Sequence, residues 1–543
     1  MIRALHPEPA GGVWLRDLSD AGEPAGPVRH AATVEGDDSV RWLWASTAEV
    51  YPALLDAGVR VDRCHDLELT EALLLGAEGR WGHPRGLAAA VARLAGRPVP
   101  PDPPARAAVP PGEAQAALFD PAPAGPVGTL ADVVEVYQAQ RDRIALTEDP
   151  RRFRLLVAAE SAGALLAVEM GRVGLPWRAV VHEALLVELL GEPSPMGGPP
   201  RKLAELTGAI AAALGGQRIN PTSAAEVIRA FAREGVSIPN TRAWVLRQVE
   251  HPAVPLLLEY KELYRIWTAH GWAWREQWVH HGRFKPEYVP AGVVSGRWAS
   301  RGGGALQIPK VVRKAVLADP GWTFVVADAG QLEPRVLAAM SGDEGLANAA
   351  RGGDVYAALA ADSFGGDRAK AKVALLGAMY GQTGGQAVPA LAVLRRSYPA
   401  AWEYVEQAAR IGEQGGLVRS WLGRTCPASS VEFETFEGEL VARADAYGRA
   451  RGRFTRNFVI QATAAEWALA LLARLRAALA GTPAELVFFQ HDEVVVHCPQ
   501  AAAPDVAAAV HRAGDDARTL LFGDTPVRFP LGVSTVECYA DAK

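Results

Sequence analysis

Two apolar runs that end in acids limit the fold of this chain more tightly than any other feature. In "WTFVVADAGQLEPR", residues 322–335, Phe324-Val325-Val326-Ala327 reads as a buried strand that reaches Asp328 before a helical pattern opens with Gln331, Glu333 and Arg335. In "ELVFFQHDEVVVHCP", residues 485–499, the runs 486–489 and 494–496 read as two strands joined by a tight turn at His491-Asp492-Glu493. Alone, such a turn reads as a solvated hairpin tip. Here the apolar flanks on both sides press it against a core. An ionised carboxylate at the end of a buried strand costs several kcal/mol unless it is paired. Two acids brought together from separate strands repel unless a proton or a cation intervenes. With oxygen ligands only, the expected cation is magnesium, or manganese.

A second piece of chemistry lies in "GGDRAKAKVALLGAMYGQTGG", residues 365–385. Asp367 is a natural N-cap, and Arg368, Lys372, Leu376 and Tyr380 follow at spacing four on one helical face. A basic first half is also what a solvated face looks like. The order along this face, two cations followed by an apolar and an aromatic residue, suits a nucleoside triphosphate better, with phosphates on Arg368 and Lys372 and the base over Leu376 and Tyr380. Gly377 and Gly381 keep that face open. Paired acids with a triphosphate clamp are equipment for phosphoryl transfer assisted by two metal ions.

The 543 residues are enough for two to four domains with large cores. A net charge of −5 is an unpromising total for a nucleic-acid binder and requires any DNA contact to use a confined basic surface. Cys64, Cys426, Cys498 and Cys538 show no CxxC spacing, which fits a reducing compartment. No signal peptide and no uncharged membrane-length run are read, so a cytoplasmic, nucleoid-associated protein with no membrane partner is expected. The proline-dense stretch 98–128 reads as a linker between a small mixed segment, 1–97, and a large unit, 129–543. From 129 to 275 the pattern is mostly helical. Beyond about 290, short strands alternate with long helices at 367–380, 385–396, 434–450 and 458–479.

In these stretches the sequence resembles the family A DNA polymerases, the group that includes bacterial DNA polymerase I, over roughly residues 145–543. The family motif DYSQIELR stands here as Asp328-Ala329-Gly330-Gln331-Leu332-Glu333-Pro334-Arg335. RxxxKxxxFGxxYG stands as Arg368, Lys372, Leu376-Gly377 and Tyr380-Gly381, and HDE as His491-Asp492-Glu493. Ser295-Gly296-Arg297 resembles the TGR element, Leu306-Gln307-Ile308-Pro309 a shortened LQNIP, and Arg453, Asn457 and Gln461 to Glu466 the RxxxNxxxQGTAAD element. These occur in the family's order.

The resemblance implies a multidomain α/β and α+β protein built as a right hand, preceded by a reduced 3′–5′ exonuclease-like (RNase H-like) domain. The thumb would span about 150–285, the palm 286–345 and 440–543, and the fingers 346–439. It implies a monomeric enzyme that uses two Mg²⁺ ions, held by Asp328, the Ala329 carbonyl and Asp492 with support from Glu493, to add dNTPs to a primer on template DNA. Repair or gap filling is the implied role. Arg368 and Lys372 would bind the triphosphate, with Lys372 as general acid. Leu376, Tyr380, Gln331 and His491 would line the nucleotide site, and Glu333 would exclude a ribose 2′-hydroxyl. Arg297, Gln307, Arg453, Asn457 and Gln461 would hold primer–template DNA, joined there by His491.

The departures are local. Ala329-Gly330 replace a Tyr-Ser pair, loosening the wall beside Glu333, and Leu376 stands where relatives carry an aromatic, so altered dideoxynucleotide handling is expected. Residues 1–60 contain no DxE on an apolar strand, and Asp132, Tyr137 and Asp142 do not complete the usual exonuclease spacing, so an inactive remnant is expected. The alternatives are residual 3′–5′ exonuclease activity, a non-catalytic DNA-binding scaffold, or a single-subunit RNA polymerase, the last opposed by Glu333.

Overall fold

The computed structural model describes residues 1–9, 11–103, 128–194, 197–301, 304, 306, 308–381, 387–427 and 444–542. Most of the proline-dense stretch, Gln307 and the first part of the helix expected over 434–450 lie outside these residues.

The N-terminal segment forms a five-stranded sheet from β1 (Ile2–Pro7), β2 (Val13–Leu18), β3 (Arg29–Ala31), β4 (Arg41–Trp44) and β5 (Cys64–Asp66), in the order β3-β2-β1-β4-β5. β1, β2 and β3 run antiparallel, whereas β4 and β5 lie parallel to β1. Alternation along the strands separates two cores: Ile2, Ala4 and Leu43 face one, and Leu5, Trp42 and Trp44 face the other. Leu130, Val133, Val134, Val136 and Tyr137 of the Leu130–Ala145 helix pack into the first of these. Ile144, near the end of the same helix, instead joins the core of the larger unit, so the helix packs against both.

The sheet is fastened to the rest of the molecule by a buried cation. Arg476, only 5% exposed, donates to both carboxylate oxygens of Glu169 at 2.9 and 2.6 Å and to the carbonyls of Asp62 and Val61 at 2.7 and 2.5 Å. Tyr51 donates its hydroxyl to Glu169 at 2.6 Å. Every oxygen of this carboxylate therefore has a donor, which is the condition under which a buried ion pair is tolerated.

In the larger unit, small ribbons are made by β6 (Leu175–Pro176), β7 (Val279–His280) and β8 (Arg283–Phe284), and by β9 (Glu287–Val289) with β10 (Ala299–Arg301). Its central sheet contains β11 (Trp322–Ala329), β12 (Glu485–Gln490), β13 (Glu493–Pro499) and β14 (Leu531–Val536), antiparallel throughout in the order β12-β13-β11-β14. The sheet is sandwiched. Val325, Ala327, Val494 and Val496 face a core shared with the long helices Pro150–Val173, Ala444–Ala478 and Ala503–Phe522. Phe324, Val326, Phe488 and Val495 face a second core built with the helices between 179 and 270. Both faces are buried, so these strands read as continuous apolar runs rather than alternating ones. The Ala224–Arg233 helix in that second core is capped by Ser223, as its Pro-Thr-Ser lead predicts.

Instead of ending at 450 and restarting at 458, the helical pattern continues through Ala444–Ala478 as one helix. Its segment Ala450–Ala478 is long and apolar enough to cross a membrane, with a mean hydropathy of 1.4 over its most apolar 18 residues, but 83% of that window is buried inside the protein, which marks a core helix. Replacing Arg476 by alanine leaves Glu169 with only Tyr51 and Arg60 and frees the carbonyls of Val61 and Asp62, and should cost about 3 kcal/mol, lowering the thermal unfolding temperature. Arg172→Ala, which removes an exposed pairing with Asp56 on the same surface, should leave it nearly unchanged.

Candidate active site

β11 and β13 pair with Ala327 opposite Val494 and Asp328 opposite Glu493. The backbone N–H of Ala329 then donates to the carbonyl of Asp492 at 3.0 Å. This register brings Asp328 and Asp492 to the same end of the sheet from distant parts of the chain. Residues directly opposite in an antiparallel pair point to one face, so Asp328 and Glu493 share a face, and like charges so placed are destabilising unless compensated. Glu493 is compensated by the protein. Buried in the second core, it accepts the hydroxyl proton of Tyr539, and Arg313 Nη1 lies 3.6 Å away while its guanidinium sits 4.5 Å over the Tyr539 ring. Burial and the neighbouring carboxylate push the Tyr539 hydroxyl well up, keeping it a donor. Asp328 and Asp492 are only partly buried.

Two residues next to these acids adopt left-handed backbone conformations, Gln331 at φ 57° and His491 at φ 58°. Such conformations in non-glycine residues concentrate at functional sites. Gln331 is the N-cap residue of the Leu332–Ser341 helix, so the chain turns sharply out of β11 within three residues of Asp328. Pro334 falls in the first turn of that helix, where its missing N–H loses no bond. Arg335, the last residue of the first motif, is fully buried. It donates to the carbonyls of Gly330, Ala350, Arg528, Gly352 and Gly353 at 2.7–3.2 Å and ties the helix to two neighbouring loops.

A cleft of about 160 Å³ opens beside the acids, lined among others by Asp492, His491, Arg297, Glu333, Tyr356 and Leu376. Glu333 accepts from Arg297 at 2.7 Å and from the Tyr380 hydroxyl at 2.6 Å. Burial first, and then this carboxylate, push the Tyr380 hydroxyl to about 12, while Gln461 opposes the shift as a hydrogen-bond partner. Burial, with Arg297 nearby, lowers the His491 imidazole below its ordinary value and favours its neutral form. The expected helix spans Arg368–Tyr380, and its cap is the expected one: Asp367 accepts from Lys370 N–H at 3.0 Å. Arg368, Lys372 and Tyr380 are exposed and Leu376 is half-buried. Arg368 lies 5.6 Å and Lys372 5.9 Å from the Tyr356 ring. The helix ends at Gly381, at φ 67°, where an added Cβ would stand 2.8 Å from Arg453 Cγ, so only glycine permits this approach of the two helices.

Arg453, Asn457 and Gln461 lie at spacing four on the Ala444–Ala478 helix. The side-chain oxygen of Asn457 is buried without a hydrogen-bond partner among the described residues. Gln307 lies outside them. The structure adds residues that the motifs did not name: Asp354 and Tyr356 beside the cation helix, and Arg313 and Tyr539 behind Glu493. Of these, only Asp354 had a readable signal, an acid after Gly352-Gly353 and before an apolar run, which is an N-cap pattern.

Residues 200–535 match the sequence model of DNA polymerase family A. The chain belongs to that family. Among its family A relatives, the thermostable DNA polymerase I of Thermus filiformis is 29% identical over 308 residues, covering 52% of this chain and 36% of that one. DNA polymerase I of Chloroflexus aurantiacus is 30% identical over 247 residues, covering 40% and 25%. The matches therefore span about a third or less of these relatives' own lengths. In fold, the chain is similar to the POL domain of Pol1 from M. smegmatis, solved in complex with DNA primer-template and dNTP, with a TM-score of 0.73 at 15% identity over 99% of this chain and 95% of that chain.

One acid of the family A motifs is unusual in its burial. Glu466 accepts the Ser420 hydroxyl and the Leu422 N–H at 3.0 Å, pinning the segment 417–424 to the long helix beside the buried Arg424–Glu160 pair. Burial pushes its carboxyl from 4.5 to about 7, against the opposing pull of Arg424. A raised carboxyl favours folding fully below pH 4.5, and that contribution is lost as pH rises toward 7. Wild-type stability should therefore fall by about 3 kcal/mol across this window through Glu466. Urea titrations of Glu466→Gln between pH 4.5 and 8 should lack that part of the decline.

Proposed function

We propose that this chain is a template-directed DNA polymerase that adds dNTPs to a primer 3′-hydroxyl. The observation that carries the reading is the single cleft lined by Asp492, by Glu333 and by Leu376 of the helix that presents Arg368 and Lys372. A cleft lined by Asp492, with Asp328 at the same end of the sheet and the helix of Arg368 and Lys372 contributing Leu376 to its wall, suits a triphosphate and a primer end. Family membership and the fold shared with a polymerase domain solved on primer-template and dNTP support it. In this reading 286–345 and 440–543 form the palm, 346–439 the fingers, and about 150–285 the thumb.

The donors present fit a divalent ion of the magnesium type. Asp328 and Asp492 supply carboxylates at one strand end, the Ala329 carbonyl can add a third oxygen, and Glu493 is taken up by Tyr539 and Arg313. Bound there, such ions supply activation of the primer hydroxyl and neutralisation of the departing pyrophosphate. Arg368 and Lys372 hold the phosphates, and Lys372 is placed to give a proton to pyrophosphate. Leu376 and Tyr380 bound the base pair. Glu333, fixed between Arg297 and Tyr380, stands where a 2′-hydroxyl would meet it. Arg297, Arg453, Asn457, Gln461 and His491 face the primer–template.

The N-terminal sheet reads as an inactive exonuclease-like remnant. β1 carries Arg3 rather than an acid, Asp17 is paired with Arg3 and Arg29, Asp66 caps a helix, and Asp132 is taken up by the Thr129 N–H and hydroxyl in a capping box. Primer extension with Mg²⁺ and dNTPs tests the proposal. Wild type should extend the primer, and Asp328→Ala should lose several kcal/mol of charge stabilisation, a drop on the order of 10³-fold, with an unchanged unfolding temperature. Failure of wild type to incorporate dNTPs would refute it, and shortening of a 3′-mismatched primer without dNTPs would refute the remnant.

A further inference from the structure

Arg368 is already engaged. Its Nε donates to Asp354 Oδ2 at 2.7 Å. Asp354 cannot follow that arginine elsewhere, because it is the N-cap of the Val355–Ser363 helix: its other oxygen accepts from Ala357 N–H at 3.1 Å and from Gln331 Nε2 at 2.8 Å. Gln331 is fixed in turn, its Oε1 accepting from Val355 N–H at 2.7 Å. One carboxylate thus links the two-cation helix to the end of the strand that carries Asp328. Burial opposes ionisation of Asp354, but the bonds from Arg368, Gln331 and Ala357 overcome it and hold the carboxyl at about 2. The pair is also within reach of a competing anion, with Arg368 53% and Asp354 37% exposed. Lys372 lies one turn further along the same face.

We propose that Asp354 is a positioning residue that occupies Arg368 until a nucleoside triphosphate displaces it, so that a ligand must carry enough negative charge to win this exchange. A carboxylate offers one charge to one cation, whereas a triphosphate reaches Arg368 and Lys372 together. A diphosphate competes less well, and the exchange therefore sharpens selection for triphosphates. The inference rests on the reading of Arg368 and Lys372 as triphosphate ligands.

The test measures equilibrium binding of a matching dNTP and dNDP to the protein on a primer–template whose primer ends in a dideoxynucleotide, so that no bond forms. Asp354→Asn and Asp354→Ser both keep a helix N-cap. Both should bind dNTP about two- to fivefold more tightly, the scale of an exposed ion pair, with a narrower gap between dNTP and dNDP. The gain should shrink at high salt and vanish in an Arg368→Ala background. In extension with an ordinary primer, KM should fall with little change in kcat. Unchanged or weaker binding in both variants, or a gain that persists without Arg368, overturns the proposal. If Arg368→Ala alone binds dNTP as tightly as wild type, the triphosphate reading itself fails, and this outcome is separate from failure of the exchange.

Discussion

The register of β11 on β13 is the constraint on which the rest of the site depends. Setting Asp328 opposite Glu493 also sets Ala329 N–H on the carbonyl of Asp492, and a slip of one residue would move every side chain of either strand to the other face. Such a slip would bury Asp328 in the first core and expel Val325 and Ala327 from it. The two apolar cores on either side of the sheet therefore enforce the position of the acids. Hydrophobic burial, which is non-directional, becomes directional through the two-residue period of the strand.

Around that sheet, the charged groups divide into those buried as structural ties and those left partly or largely exposed. Arg335, Arg476, Arg424 and Glu466 are buried and bonded to neighbouring segments, and they hold loops and helices in place. Glu493 is of this kind as well, despite its place in the HDE turn. Asp328, Asp492, Arg368 and Lys372 stay partly or largely exposed at the cleft. Glu333 is intermediate, fixed by Arg297 and Tyr380 at 2.7 and 2.6 Å yet lining the cleft. In the proposed reading, a rigidly held Glu333 would discriminate a sugar better than a mobile one. An added Cβ at Gly330 would have only the Pro530 carbonyl, at 3.8 Å, within contact distance, so the space that a larger residue would fill is open.

The strands that carry the acids were legible because both faces are buried and the apolar runs are continuous. The Arg368–Tyr380 helix was legible through its cap and its spacing of four. Contacts between residues far apart in sequence were not. Tyr539 reaching Glu493, Arg476 reaching back to Val61, and the Leu130–Ala145 helix packing against β1 leave no periodic trace in the chain. The helices expected at 434–450 and 458–479 leave a gap at 451–457 that the helix Ala444–Ala478 runs through. Gly452 is there because a Cβ would stand 2.6 Å from Glu413 on the packed helix, and Arg451 and Arg456 are buried against that neighbour. Tertiary packing in this case overrides local propensity.

Divalent-metal binding by the two acids is the central claim, and a Mn²⁺ titration followed by electron paramagnetic resonance, with a nucleoside triphosphate present, tests it most directly. Asp328→Asn and Asp492→Asn should each weaken Mn²⁺ binding by at least about tenfold, while Glu493→Gln, whose side chain still accepts from Tyr539, should change it far less. Mn²⁺ binding that survives unchanged in both aspartate variants would contradict the account.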